Sequence, residues 1–142
     1  MSEKKKIIII DDDRDFVTFL TVFLEDNGYD TVAAYDGLEG IEKTRSERPD
    51  LVLLDITMPE KSGVAVYRAL KEDERLKNIP VIMLSAIERK TFLHYLKFFG
   101  STPRLDSSEP EAYLEKPPET EELLGLVQRL TQTQLSDFTE DE

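Results

Sequence analysis

Acidic side chains follow directly after two apolar segments of this chain. Residues 7–10 are all isoleucine, and Asp11 and Asp12 come next. Residues 51–54 are also apolar, and Asp55 follows them. An uninterrupted apolar run is typical of a strand buried on both faces, as in a parallel sheet. Because ligands of open α/β sheets bind beyond the carboxyl ends of strands, these two strand ends predict a binding site.

The chemistry of this acidic group suits a hard divalent cation. Crowded carboxylates repel one another unless a cation lies between them. Oxygen ligands without His or Cys suit Mg²⁺ or Ca²⁺, and a few carboxylates with open positions for water and phosphate suit Mg²⁺ better. The alternative is that acids 11–13 only cap the following helix. That alternative is favoured for Asp13, but it does not explain Asp55.

Two later strand ends also carry polar residues that could do chemistry. The ammonium group of Lys116 is a natural phosphate partner, although a structural ion pair with Asp55 explains it equally well by itself. The Ser85 hydroxyl can donate to a phosphoryl oxygen, although a lone serine is more often a helix cap. Together with the acids, these residues describe a phosphoryl-transfer site. Asp55 is its candidate nucleophile, and Mg²⁺ offsets the charge between carboxylate and phosphoryl group.

The elements that position these residues alternate between strand and helix patterns. The predicted strands cover residues 6–10, 31–35, 51–55, 81–84 and 112–115. Between and after them, apolar residues recur at helical spacing and predict helices that begin near residues 13, 37, 64, 88 and 119. Asp13 is expected to cap the first helix and Gly63 to permit a close backbone approach. The alternation predicts an α/β fold of flavodoxin type, with a doubly wound five-stranded parallel sheet and helices on both faces.

Composition limits the possible functions. The chain has 142 residues, 39% of them hydrophobic, and a formal net charge of −12, which disfavours binding to nucleic acid. It has no cysteine, which excludes disulfides, zinc–thiolate sites and thiol catalysis. No apolar stretch approaches the roughly 20 residues that span a bilayer, and no signal peptide is recognised, so a soluble cytoplasmic protein is expected. We expect one domain over residues 1–131 and an acidic, frayed tail over residues 132–142.

Four motifs in this order resemble the receiver domain of two-component response regulators. The resemblance covers residues 6–130. Its motifs are Asp11-Asp12 after an apolar strand, Leu53-Leu54-Asp55-Ile56-Thr57-Met58-Pro59 with Gly63, Leu84-Ser85-Ala86, and Tyr113-Leu114-Glu115-Lys116-Pro117.

The resemblance implies a role for each of these residues. It implies the strand order 2-1-3-4-5, which makes strands one and three neighbours. Asp55 would accept a phosphoryl group from a sensor histidine kinase or a phosphotransfer protein. Asp11, Asp12 and Asp55 would hold Mg²⁺ together with the backbone carbonyl of Thr57, and Lys116 would contact the phosphate.

The resemblance also implies a switch between two packing states. Ser85 would move toward the phosphate, and Tyr113 would rotate into the space that Ser85 leaves. The output surface would be the face made by the fourth predicted helix, the fifth strand and the fifth helix. A downstream protein is the expected partner there, and a homodimer is a further possibility.

One departure and two alternatives remain open. Residues 101–111 form an extra Pro- and Ser-rich stretch before Tyr113, which is more simply a tolerated loop than a partner-selecting one. A phosphohydrolase of the haloacid dehalogenase type would need Asp-x-Asp followed by Thr or Val, and residues 11–15 lack the last element. A receiver-like binding module without phosphorylation is disfavoured by the intact acids, Ser85, Tyr113 and Lys116. His94, the only histidine, is expected on the solvated surface.

Overall fold

The structure is a computed structural model that describes residues 4–56, 63–86, 90–91 and 110–132. Strands and helices alternate through most of these ranges. The strands are β1 (Lys6–Ile10), β2 (Asp30–Ala34), β3 (Leu51–Asp55), β4 (Val81–Ser85) and β5 (Ala112–Glu115). The helices within the described ranges are α1 (Arg14–Asp26), α2 (Gly37–Glu47), α3 (Gly63–Glu72) and the C-terminal helix α4 (Thr120–Thr131).

The strands form one parallel sheet in the order β2-β1-β3-β4-β5. This confirms the predicted doubly wound α/β fold and the strand order that the resemblance implied. Since β1 and β3 are neighbours and Ile10 lies opposite Leu54, the residues that follow them emerge side by side. The sheet therefore brings the two acidic strand ends to one point.

The apolar strands are buried because side chains on both faces of the sheet are covered. Ile8 and Ile10 of β1 belong to a core cluster with residues of α2 and α3. Ile7 and Ile9 belong to a second cluster with residues of α1 and α4. Burial on both faces explains why β1 reads as a continuous apolar run and not as an alternating pattern.

The helix ends follow from local side-chain chemistry. Asp13 is the N-cap of α1, and its carboxylate accepts a hydrogen bond from the Phe16 backbone N–H at 3.1 Å. Gly28, just beyond α1, has a φ of 95°, a conformation that glycine adopts without steric cost. Asp36 caps α2 in the same way, through the Glu39 N–H at 2.8 Å. These caps agree with the predicted helix starts.

Some predictions need correction, and others lie outside the described ranges. Strand β2 covers residues 30–34 and not 31–35. The helix predicted to begin near residue 88 is described only at residues 90–91. His94, most of the 101–111 stretch and the tail beyond residue 132 also lie outside the described residues. Among the described helices, none is long and apolar enough to cross a membrane.

Candidate functional site

The three acids named from the sequence lie together at the carboxyl edge of the sheet. Asp11, Asp12 and Asp55 each place one carboxylate oxygen within 4.8 Å of the others. Asp11 and Asp55 are 1% and 2% exposed, whereas Asp12 faces solvent. Two carboxylates of the cluster are therefore buried, and the third leaves the cluster open to solvent on one side.

Backbone contacts hold Asp11 in place at the end of β1. Its N–H donates to the carbonyl of Ala34 at 3.0 Å, which extends the pairing of β1 with β2. Its Oδ1 accepts a hydrogen bond from the Asp13 N–H at 2.9 Å. One oxygen of this carboxylate is thus committed to the turn that starts α1.

The other oxygen, Oδ2 of Asp11, is buried and accepts no hydrogen bond of good directional geometry within the described part of the chain. Its contact there is an ion pair with the Lys116 ammonium group at 2.8 Å. Three carboxylates with oxygens within 4.8 Å of one another, in a site made only of oxygen donors, fit a Mg²⁺ ligand set. The residues present therefore suit the cation that the sequence predicts.

Lys116 reaches this cluster from the end of β5. Its backbone N–H donates to the Ser85 carbonyl at 2.8 Å, and its peptide bond to Pro117 is cis. Its Nζ is 3.6 Å from Asp55 Oδ1, farther than from Asp11 Oδ2. The ion pair weighed from the sequence involved Asp55, but the shorter contact is with Asp11.

Opposing effects act on the pKa of Lys116. Burial is the largest single effect and lowers the pKa, because it disfavours the charged form. The short contact with Asp11 and the negative charges of Asp55, Asp11 and Asp13 raise it and together outweigh burial. The net result is a pKa above the ordinary 10.5, so the side chain carries its positive charge at neutral pH.

An aromatic ring also borders this site. The ring centroid of Phe16 is 4.5 Å from the Lys116 Nζ, in a cation–π contact. Phe16 lies in the first turn of α1. The sequence carries no signal for this contact, because the two residues lie on elements far apart along the chain.

Gly63 shapes the backbone beside Asp55. Its N–H donates to the carbonyl of Ile56 at 2.9 Å. A Cβ atom at Gly63 would lie 2.9 Å from the carbonyl carbon of Asp55 and closer still to the carbonyl oxygen. Only glycine allows the start of α3 to approach this strand end so closely, as the sequence predicted.

Ser85 and Tyr113 meet behind the acids. Ser85 is fully buried at the end of β4, and Tyr113 lies in the core cluster that contains Met83. Burial raises the pKa of Tyr113, a hydrogen bond with Ser85 lowers it, and the charges of Glu115 and Asp55 raise it further. The net pKa is above 10.0, so the Tyr113 phenol is neutral at physiological pH.

One further predicted ligand cannot be placed. Thr57, whose backbone carbonyl the resemblance assigns to the metal, lies outside the described residues. The structure thus brings together every other residue proposed for the site: Asp11, Asp12, Asp55, Ser85, Tyr113 and Lys116.

A parallel sheet in this order, with an acidic cluster and a lysine at its carboxyl edge, defines a receiver-type signalling domain. The chain belongs to the response regulator receiver domain family, whose model matches residues 7–100. Phosphorylation-dependent switching in two-component signalling is the general property of that family.

Individual relatives agree with this assignment. The chain is 35% identical over 113 residues to the polar-differentiation response regulator DivK of Brucella anthropi, covering 80% of this chain and 85% of DivK. The Vibrio cholerae chemotaxis protein CheY4 superimposes with a TM-score of 0.76 at 25% identity, covering 90% of this chain and 99% of CheY4. The receiver domain of the Francisella response regulator 1452 gives a TM-score of 0.76 at 29% identity, covering 92% of this chain and 99% of that domain.

Proposed function

We propose that this chain is a phospho-accepting switch in which Asp55 receives a phosphoryl group from a histidine kinase or a phosphotransfer protein. The observation that carries the proposal is the juxtaposition of Asp11, Asp12 and Asp55 within 4.8 Å, with Lys116 Nζ against two of them. A cluster of this kind suits phosphoryl transfer, which depends mainly on positioning and electrostatics.

In the proposed reaction, a carboxylate oxygen of Asp55 attacks phosphorus and forms the new P–O bond. The bond from phosphorus to the donor imidazole nitrogen breaks, and that nitrogen keeps the electron pair. Asp11, Asp12 and Asp55 would hold Mg²⁺, with the carbonyl of Thr57 as a further ligand. When bound, the ion offsets the repulsion between the carboxylate and the incoming phosphoryl group.

Lys116 supplies the protein's own positive charge to this reaction. Its ammonium group is 3.6 Å from Asp55, within reach of a phosphoryl group formed there. The contact with Asp11 keeps the side chain charged and directed into the cluster. Lys116 would therefore bind phosphoryl oxygens as their charge increases during transfer.

The Ser85–Tyr113 hydrogen bond supports a mechanism for the switch. A phosphoryl oxygen on Asp55 is a stronger acceptor than a phenol oxygen, because it is charged. Ser85 would therefore exchange its bond with Tyr113 for one with the phosphate. The freed Tyr113 would then alter the face of the sheet edge at β5 and α4, where a downstream protein would bind.

The decisive experiment is phosphorylation with a small donor. The protein is incubated with acetyl phosphate and Mg²⁺, and its intact mass is followed over time. We expect one stable phosphoryl group on the wild type and none on Asp55→Asn. The exposed acid Asp30, at the opposite end of the sheet, provides a matched control, and Asp30→Asn should react like the wild type.

Other outcomes of this experiment identify the alternatives. Rapid release of inorganic phosphate without accumulation of the phosphoprotein would favour a phosphohydrolase. An unmodified wild-type protein would favour a receiver-like module that binds without phosphorylation. The cytoplasmic location, the homodimer and the boundary between a domain over residues 1–131 and a tail remain predictions.

A further inference from the structure

The ammonium group of Lys116 is enclosed by two kinds of partner. On one side, its Nζ contacts Asp11 Oδ2 at 2.8 Å and Asp55 Oδ1 at 3.6 Å. The Phe16 ring supplies an additional contact at 4.5 Å. The lysine side chain as a whole is 17% exposed.

The cation–π contact with Phe16 helps to hold the Lys116 ammonium group in place. A lysine ammonium sits on a flexible four-carbon chain and is strongly hydrated, so ion pairs alone hold it loosely. A cation within about 6 Å of an aromatic centroid is attracted by the ring, and more strongly where water is excluded. The Phe16 ring therefore favours the lysine conformations that keep the ammonium group beside Asp11 and Asp55.

The Phe16 ring is itself held in place by the start of α1. The Phe16 backbone N–H donates to the N-cap carboxylate of Asp13 at 3.1 Å, and Asp13 in turn donates its N–H to Asp11 Oδ1 at 2.9 Å. The Phe19 ring stacks against Phe16 with centroids 6.2 Å apart. The turn that supplies the acids thus also positions the ring next to the lysine.

We propose that Phe16 is a positioning residue for phosphoryl transfer, because its ring holds the Lys116 ammonium group against Asp11 and Asp55. The lysine is then presented to the transferring phosphoryl oxygens without prior rearrangement, which lowers the barrier. This inference rests on the proposed function, since it assigns Phe16 a part in the same reaction.

Kinetic variants test the inference. Phe16→Leu keeps an apolar side chain but removes the ring, and it should slow phosphorylation by acetyl phosphate by about 3- to 10-fold. Phe16→Tyr restores a ring and should return the rate to within about 2-fold of the wild type. Phe23→Leu is the matched control, because it removes a ring from the same helix two turns away from Phe16, and it should leave the rate unchanged.

Two further measurements separate positioning from general damage. The ε-methylene protons of Lys116 should show an upfield ring-current shift in the NMR spectrum of the unphosphorylated protein. This shift should disappear in Phe16→Leu and persist in Phe23→Leu. In a Lys116→Met background, Phe16→Leu should slow phosphorylation by less than about 2-fold, because the group it positions is gone.

The outcomes distinguish this inference from the proposed function. If the wild type accepts phosphate and Phe16→Leu reacts at the wild-type rate, the role of Phe16 is overturned and the function stands. An unshifted Lys116 resonance in the wild type, or an equal loss of rate in Phe23→Leu, also overturns it. If the wild type accepts no phosphate, both proposals fall, although the NMR shift still reports whether ring and ammonium are in contact.

Discussion

Replacing Asp12 by asparagine should stabilise the metal-free protein. Asp12 shares a cluster with two buried acids, and oxygens of all three lie within 4.8 Å of one another. An asparagine side chain has nearly the same size and shape as aspartate but carries no negative charge. The substitution therefore tests whether repulsion among these acids is stored in the folded state.

The size of the effect follows from the distance and the exposure. Two unit charges 4.8 Å apart repel by ~1 kcal/mol at the dielectric constant of water and by ~3 kcal/mol at an effective value of about 20. Asp12 faces solvent, which favours the lower figure, and Lys116 already offsets part of the negative charge of Asp11 and Asp55. We expect Asp12→Asn to raise the free energy of unfolding by ~1 kcal/mol and the melting temperature by about 3 °C.

Thermal unfolding in the presence and absence of Mg²⁺ provides the assay. In a chelator, Asp12→Asn should melt above the wild type. With millimolar Mg²⁺ the difference in melting temperature should shrink or change sign, because the variant has lost one Mg²⁺ ligand and is stabilised less by binding. Asp30→Asn is the control for overall charge. It removes one negative charge at a position outside the cluster, from a chain whose net charge is −12.

Two results would refute this reasoning. A melting temperature of Asp12→Asn at or below that of the wild type in chelator would mean that the acids are not in net repulsion. An equal gain in Asp30→Asn would mean that relief of the overall negative charge, and not of the cluster, explains the effect.

Three other predictions follow from the same site. Gly63→Ala should lower the free energy of unfolding by about 3 kcal/mol in denaturant titrations, because the new Cβ meets the backbone of Asp55; a loss below about 1 kcal/mol would contradict the observed close approach. Lys116→Met should lower the free energy of unfolding by about 3 kcal/mol in chelator, since it removes the ammonium group that pairs with the buried Asp11 and Asp55. Mg²⁺ should restore part of this stability, and a loss that does not depend on Mg²⁺ would argue against a metal site. In the folded protein the pKa of Tyr113 is raised above 10.0, chiefly by burial, whereas in the unfolded chain this tyrosine has its ordinary pKa of 10.0. The stability that Tyr113 contributes is therefore complete below pH 10.0 and is lost as the pH rises through the folded pKa. The difference in ultraviolet titration between wild type and Tyr113→Phe should therefore show ionisation above pH 10.0, and a midpoint at or below that value would contradict the burial of this hydroxyl.

The fold could be predicted because its signals are local. Apolar runs such as residues 7–10 and 51–54 predicted doubly buried strands, and the structure buries every one of these side chains. The N-cap at Asp13 depends only on a hydrogen bond within the first turn of α1. The strand order, by contrast, came from the resemblance to a family, since periodicity does not say which strands are neighbours.

The site was predictable in its acids and less so in its contacts. Asp11, Asp12 and Asp55 follow strands that end at the same edge of a parallel sheet, and the strand order that the resemblance implied made those strands neighbours. For Lys116 the sequence suggested a phosphate partner or, as the alternative, an ion pair with Asp55. The shorter contact is with Asp11, because side-chain directions at the end of β5 are not encoded in a strand pattern.

Residue types and their order along the chain thus determined the alternation of strands and helices, the caps and the acids at the strand ends. Each depends on interactions among residues a few positions apart. Tertiary structure alone decided that Phe16 borders Lys116 and that the hydroxyls of Ser85 and Tyr113 meet. These contacts join elements far apart in sequence, and their geometry depends on how the helices and strands pack together.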